Sequence, residues 1–290
     1  MKILVTGSSG QLGHDLVIEL TKRGHDINGV SSKELNLMDP TAVHSFLTSI
    51  RPDAVMHCAA YTAVDQAEDD AEICMAVNHL GTRSVADSCA EIGCKLLYIS
   101  TDYVFPGTGD RPWEPDDTTA PLNLYGRSKL MGEEAVREAT SQHFIVRTSW
   151  VFGINGKNFV KTMLRLDKER DTLTVVDDQF GSPTYTKDLS VLLADMIETE
   201  KYGTYHATNE GICTWYEFAC EIMKQAGLST EVLAVSSSQY PSKANRPKNS
   251  RMSKNKLDEV GFHRLPSWQD ALHRYLNELK EKEIGKDPSK

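Results

Sequence analysis

The sequence is short of the features that mark several large protein classes. It has six cysteines (Cys58, Cys74, Cys89, Cys94, Cys213 and Cys220) and no CxxC pair. Thiols in apolar or helical patterns pack as small hydrophobes, so a reduced, cytoplasmic protein is expected rather than a disulfide scaffold. Nine histidines form no HExxH-type pattern, and no zinc or other metal site is assigned. No apolar run approaches the ~18 residues of a membrane span. The opening MKILVTG passes from a short strand into a glycine turn, unlike a secretory signal. Positive charge is also in deficit, with 32 Lys and Arg against 41 Asp and Glu and a net charge of −9. That balance argues against a nucleic-acid partner.

What is present is a chain of 290 residues with 40% hydrophobic content, enough for a large core. Its first half alternates strand and helix. KILVT (2–6), INGVS (27–31), DAVMHCA (53–59) and KLLYIS (95–100) predict strands, and FIVRTSWVF (144–152) a further one. Helices are expected from the glycine turn to about Arg23, from Asp39-Pro40 to about Ile50, over 70–92 and around Tyr125. The fold class is therefore α/β, a Rossmann-like doubly wound parallel sheet with a smaller C-terminal lobe. Residues 1–150 are expected to form the dinucleotide-binding domain and 151–290 mainly a substrate lobe, with segments of about 172–200 open to returning to the sheet. Helical patterns at 157–170, 186–199, 214–227 and 266–282 alternate there with TLTVV (172–176), GTYHAT (203–208) and EVLAV (231–235). The last residues, KEKEIGKDPSK, read as a solvated tail.

Three motifs carry chemistry. TGSSGQLG (6–13) places Gly7, Gly10 and Gly13 between a first strand and a helix. Such glycines allow a tight turn, backbone approach to a pyrophosphate and close helix packing; the bland alternative is an ordinary turn. The second strand ends in Ser31, Ser32 and Lys33, with Glu34 only afterwards. Two hydroxyls and a lysine suit a 2′-phosphate, hence NADPH over NADH, although a plain polar turn fits nearly as well. STDYVF (100–105) puts Thr101 at a strand end, where doubly wound sheets bind ligands. Finally, among ten tyrosines only Tyr125 has a lysine four residues on, Lys129. That spacing gives one helix face, which serves a surface pair as well as a catalytic one.

The order glycine turn, hydroxyl residue, Tyr-xxx-Lys resembles the short-chain dehydrogenase/reductase superfamily, and its GxxGxxG spacing resembles the extended branch. AAYTAVDQAE (59–68), STDYVFPGTGDRPW (100–113), APLNLYGRSKLMGE (120–133), RTSWVFG (147–153), DDQFGSPT (177–184) and NRPKNSRM (245–252) resemble the dTDP-4-dehydrorhamnose reductase family. The resemblance runs through nearly the whole chain. It implies reduction of the 4-keto group of dTDP-4-dehydro-L-rhamnose with NADPH or NADH, for polysaccharide precursors. By motif, Gly7, Gly10, Gln11, Leu12 and Gly13 would line the pyrophosphate, and Ala60, Tyr61 and Thr62 would lie along the cofactor. Ser31, Asn36 and Leu37 would border the adenosine. Thr101, Tyr125 and Lys129 would be catalytic. Asp102 and Trp150 would contact the sugar, and Arg246 and Asn249 the nucleotide end.

The chain departs from the family in His57-Cys58-Ala59-Ala60, where Asn-Ala-Ala-Ala is common, and in Asn36-Leu37, where an Asp-hydrophobic pair is usual. Some members dimerise around Mg2+; its ligands are not assigned here, and a monomer or homodimer is expected. In the implied chemistry Tyr125 is the general acid, Thr101 polarises the carbonyl, and Lys129 lowers the phenol's pKa and holds the nicotinamide ribose. Arg246, Lys248 and Arg251, in a stretch that also holds Pro241 and Pro247, form a local basic cluster for the diphosphate. Two alternatives stay open: another nucleotide-sugar enzyme of the branch, such as an epimerase or a related 4-keto reductase, and a non-catalytic NADP-binding regulatory subunit.

Overall fold

A computed structural model describes residues 1–240 and 242–284. Pro241 and the final six residues of the expected tail lie outside the described residues. Five strands follow the alternation read from the sequence: β1 (Lys2–Thr6), β2 (Asp26–Val30), β3 (Ala54–His57), β4 (Lys95–Thr101) and β5 (His143–Thr148). With Gly203–His206 they form one parallel sheet. From one edge the order is β2, β1, β3, β4, β5 and Gly203–His206. The chain starts at β1, moves out to β2 and then crosses to β3. The switch point therefore lies between β1 and β3, where such sheets bind ligands.

Successive residues of a strand face opposite sides, and here each side has its own core. Ile3, Val5, Met56 and Phe144 pack beneath helix α1 (Gln11–Lys22), through Leu12, Leu16 and Leu20. Leu189, Leu193 and Ile197 of the helix Thr186–Ile197 complete that layer. Leu4, Val55, Leu96 and Ile145 face Val43 and Leu47 of helix α2 (Pro40–Ile50), Val85 and Val136. Asp39 caps α2, accepting from the Ala42 N–H at 3.0 Å, as the Asp-Pro pair predicts. A third core, built on Phe152, Val160, Leu173, Phe218 and Trp268, belongs to the C-terminal part of the chain. There Thr172–Val176 pairs in parallel with Glu231–Val235.

Two expected elements differ in detail. The helix over 70–92 is three pieces: Ala71–Met75, a π-helical turn Ala76–Gly81, and Thr82–Ile92. The run 144–152 is interrupted at Trp150, whose φ of 49° is left-handed, and resumes as Val151–Phe152. Neither break carries a Gly or Pro signal at its centre.

The helix Leu124–Ala139 is fastened to the sheet by buried charge. Glu133 is fully buried and accepts from Arg147 Nε at 2.8 Å, Arg147 Nη2 at 2.7 Å and Ser100 Oγ at 2.6 Å. Arg147 also donates to the Pro115 carbonyl at 2.9 Å and lies 4.9 Å from the Phe105 ring centre. Gly132 lets the helix come this close: a Cβ there would sit 2.3 Å from Tyr98 Oη and 2.6 Å from the Asn78 carbonyl. Removing one partner of a buried pair strands the other charge, so Glu133→Ala is expected to lose about 3–5 kcal/mol. Urea unfolding followed by circular dichroism checks this; an unchanged midpoint would refute it.

Candidate active site

The glycine turn sits where β1 ends. Gly7 has φ 69°, and a Cβ on it would lie 2.8 Å from Ala59 Cα and N, in the segment after β3. A Cβ on Gly13 would lie 2.2 Å from the Gly7 carbonyl. Gly10 caps α1, whose first N–H groups have no acceptor within the helix and so face the cleft as anion donors. The Gln11 side chain is already occupied: its Oε1 accepts from the Gly153 N–H and from Asn158 Nδ2, each at 3.0 Å. The backbone N–H and the side-chain Nε2 of Gln11 are left to meet a phosphate.

Beside the turn lies a cleft of about 240 Å³ lined by Gly7, Val30, Ser31, Ala60, Tyr61 and Val77, among others. It also takes in Asn36 and Leu37, so six of the expected cofactor residues converge there, while Gly10, Gln11, Leu12, Gly13, Thr62, Tyr125 and Lys129 lie outside the lining. Asn78 holds this wall. Its Oδ1 accepts from the Tyr61 N–H at 2.8 Å, and its Nδ2 donates to the Tyr61 carbonyl at 3.0 Å and to Ser128 Oγ at 2.9 Å. His57 hydrogen-bonds Thr6 at 2.7 Å and Thr82 at 3.1 Å. Burial, with the Lys129 charge, pushes its pKa down to about 3, leaving it neutral. The sequence reading missed Asn78; the available signal was a lone amide on an otherwise apolar helical face.

Thr101, Tyr125 and Lys129 do come together. Asn123 caps their helix through the Gly126 N–H at 2.8 Å. Tyr125 is half-buried, edge-on to Tyr103 with ring centres 5.5 Å apart. Burial raises its pKa well above the usual tyrosine value, Thr101 offsets part of the rise, and the Asp102 charge adds to it. This reverses the expected sign. Burial likewise lowers the pKa of Lys129, to about 7, against a smaller opposing effect of Glu133. Lys129 Nζ sits 4.1 Å from the Tyr98 ring centre and has no hydrogen bond among the described residues. A buried amine whose Nζ lacks a hydrogen bond keeps its donors for a polar ligand.

The expected substrate residues divide. Asp102 faces inward and is buried: Oδ1 accepts from Thr101 at 3.0 Å and Oδ2 from Ser250. Burial lifts its pKa to about 6 against these bonds. Asn249 is buried and saturated, donating to the carbonyls of Arg111 at 2.8 Å and Thr108 at 3.2 Å and accepting from Arg251 at 3.0 Å. Both residues hold the 245–252 segment in place rather than presenting a group to ligand. Trp150 is part-exposed and stacks on Trp215 at 3.8 Å. Arg246 reaches the rim, donating to Tyr103 Oη at 3.2 Å and Asp65 at 2.6 Å. Of its expected partners, Lys248 pairs with Asp178 at 3.1 Å and Arg251 lies 4.1 Å from the Phe180 ring centre.

The fold and this arrangement define a short-chain dehydrogenase/reductase of the extended type. The chain belongs to the family described as the RmlD substrate binding domain, which matches residues 1–281. It is 41% identical to the dTDP-4-dehydrorhamnose reductase of Escherichia coli K12, over 96% of this chain and 98% of that one. It is 42% identical to the spore coat polysaccharide biosynthesis protein SpsK of Bacillus subtilis 168, over 96% and 97%. The crystal structure of dTDP-4-dehydrorhamnose reductase from Bacillus anthracis Ames in complex with NADP superposes with a TM-score of 0.93 at 44% identity, covering 96% and 99%.

The suppressed charge on Lys129 has a thermodynamic signature. Its folded pKa, about 7, lies below the ordinary 10.5, so between those values the unfolded chain binds more protons and stability rises with pH. Lys129→Met is therefore expected to melt at higher temperature than the parent at neutral pH, with the gap closing as pH approaches 10. Melting curves across that window decide it; a gap that is absent or widens would contradict the assignment.

Proposed function

We propose that the chain reduces the 4-keto group of dTDP-4-dehydro-L-rhamnose to give dTDP-L-rhamnose, with NADPH as preferred reductant and NADH as an alternative. The reading is supported by Thr101, at the carboxyl end of β4, hydrogen-bonded to Tyr125, with Lys129 one turn further along the helix of Tyr125, and by the cleft that opens at the end of β1. Residues 1–150 with Thr186–His206 serve as the cofactor unit, and the rest of 151–290 as the substrate lobe. When bound, the dinucleotide supplies a hydride to the sugar C4. Gly7, Gly10 and Gly13 leave room for its pyrophosphate, and the first N–H groups of α1 donate to it.

The protein's own task is the proton. Negative charge developing on the sugar oxygen is met by the phenolic hydrogen of Tyr125, which passes to that oxygen as the alcohol forms. The raised pKa keeps the phenol protonated at neutral pH, the state a general acid needs. The Thr101 hydroxyl, adjacent to the phenol and anchored by Asp102, orients the carbonyl. Lys129 holds the ribose and, when protonated, stabilises the transient phenolate, which eases release of the Tyr125 proton to the sugar oxygen before solvent replaces it. Trp150 offers a flat apolar face for the sugar ring.

Tyr125→Phe is expected to lose ~10²–10⁴-fold in kcat while NADPH binding persists. The assay is NADPH oxidation with dTDP-4-dehydrorhamnose, with dinucleotide binding measured separately. Near-normal turnover would overturn the role of Tyr125. No oxidation by the parent chain, with NADPH still bound, would favour a regulatory protein. For Arg246→Ala we expect a raised KM for the dTDP-sugar and unchanged NADPH affinity, since Arg246 lies on the Tyr103 side of the cleft; selective loss of NADPH binding would contradict it.

A further inference from the structure

We propose that the Glu34 carboxylate sets cofactor preference by occupying the hydrogen-bond donors that a ribose 2′-phosphate needs. The inference rests on the dinucleotide reading above and concerns one end of that cleft. β2 ends at Val30, and Ser31 and Ser32 line the cleft directly after it. This is the place at which a Rossmann sheet meets the adenosine ribose. Both donors of Ser31 converge on one oxygen: the main-chain N–H reaches Glu34 Oε2 at 2.8 Å, and the hydroxyl donates to the same atom. The turn is closed by the Leu35 N–H donating to the Ser31 carbonyl at 3.0 Å and the Lys33 N–H to Ser31 Oγ at 3.2 Å.

The consequences differ for the two dinucleotides. A 2′-phosphate is an anion that accepts hydrogen bonds. It would compete with Glu34 for the same N–H and O–H, and the two negative charges would repel. A 2′-hydroxyl is a donor, which a carboxylate accepts. The Glu34 carboxylate thus favours a 2′-hydroxyl and narrows the preference for NADPH without reversing it. NADPH requires Glu34 to swing outward, which its exposure permits, leaving Ser31 and the neighbouring Lys33 to the phosphate. Glu34 thereby acts as an internal stand-in for the phosphate, and the chain accepts either cofactor at the cost of full discrimination. The Ser-xx-Glu reciprocal bond is a common turn closure. What gives it a further role is that its donors open onto the cleft.

The test measures dissociation constants of the full chain for NADPH and NADH by fluorescence titration at neutral pH, with and without Glu34→Gln. The substitution removes the charge and keeps an acceptor for Ser31. NADPH binding is expected to tighten about fivefold, the scale of one exposed charge interaction, with NADH unchanged or weaker. Adenosine 2′,5′-bisphosphate should gain by the same factor, and 5′-AMP should not. A parallel shift for both dinucleotides, or none for either, would overturn the proposal while leaving the oxidoreductase reading intact. Failure of the parent chain to bind either dinucleotide would overturn that reading and this inference with it.

Discussion

The ion pair between Glu133 and Arg147 is the constraint on which the site depends. Glu133 lies one turn beyond Lys129 on the helix Leu124–Ala139, and Arg147 lies on β5. Two charges with almost no exposure are tolerable only when every lone pair is used, and here Ser100, Arg137 and the Pro115 carbonyl complete the set. The geometry this demands sets the helix's rotation about its own axis. Lys129 is then buried and Tyr125 half-buried rather than turned into solvent. The same carboxylate keeps Lys129 from losing still more of its charge to burial.

Close approach without side chains is the second requirement. Gly126 would drive a Cβ to 2.2 Å from the Tyr103 carbonyl, and Gly132 is pressed on Tyr98 and Asn78. Gly7 and Gly13 do the same service between β1, α1 and the segment after β3. The helix Leu124–Ala139 and α1 are therefore both seated by glycine. Asn78 joins the Tyr61 wall to Ser128 on the first of them.

Much of this was legible in the sequence where local rules decide. The strand–glycine–helix opening, the Asp39-Pro40 helix start and the shared face of Tyr125 and Lys129 follow from spacing and capping alone. Direction of burial was not legible. Asp102 and Asn249 belong to family-like blocks, yet both are consumed inside the protein, because motif position identifies a loop and not the way each side chain turns. The sign of the Tyr125 pKa shift was missed for a related reason: a nearby cation was counted, while desolvation of the phenol and of the lysine could be weighed only in three dimensions. Joining of Gly203–His206 to β5 also escaped periodicity, since a four-residue strand carries no mark of its distant partner.

The π-helical turn Ala76–Gly81 has a consequence for how this chain can vary in length. Asn78 within it serves Tyr61 and Ser128, and Thr82 immediately after it serves His57. Each residue added to or removed from a helix rotates everything beyond it by about 100°. Both contacts survive only with the wide turn as it stands, since an ordinary turn would carry Thr82 and the Val85–Ala86 face off the sheet. Insertions and deletions are thus barred from this stretch. Divergence in chain length must be absorbed elsewhere, at solvent-facing connections.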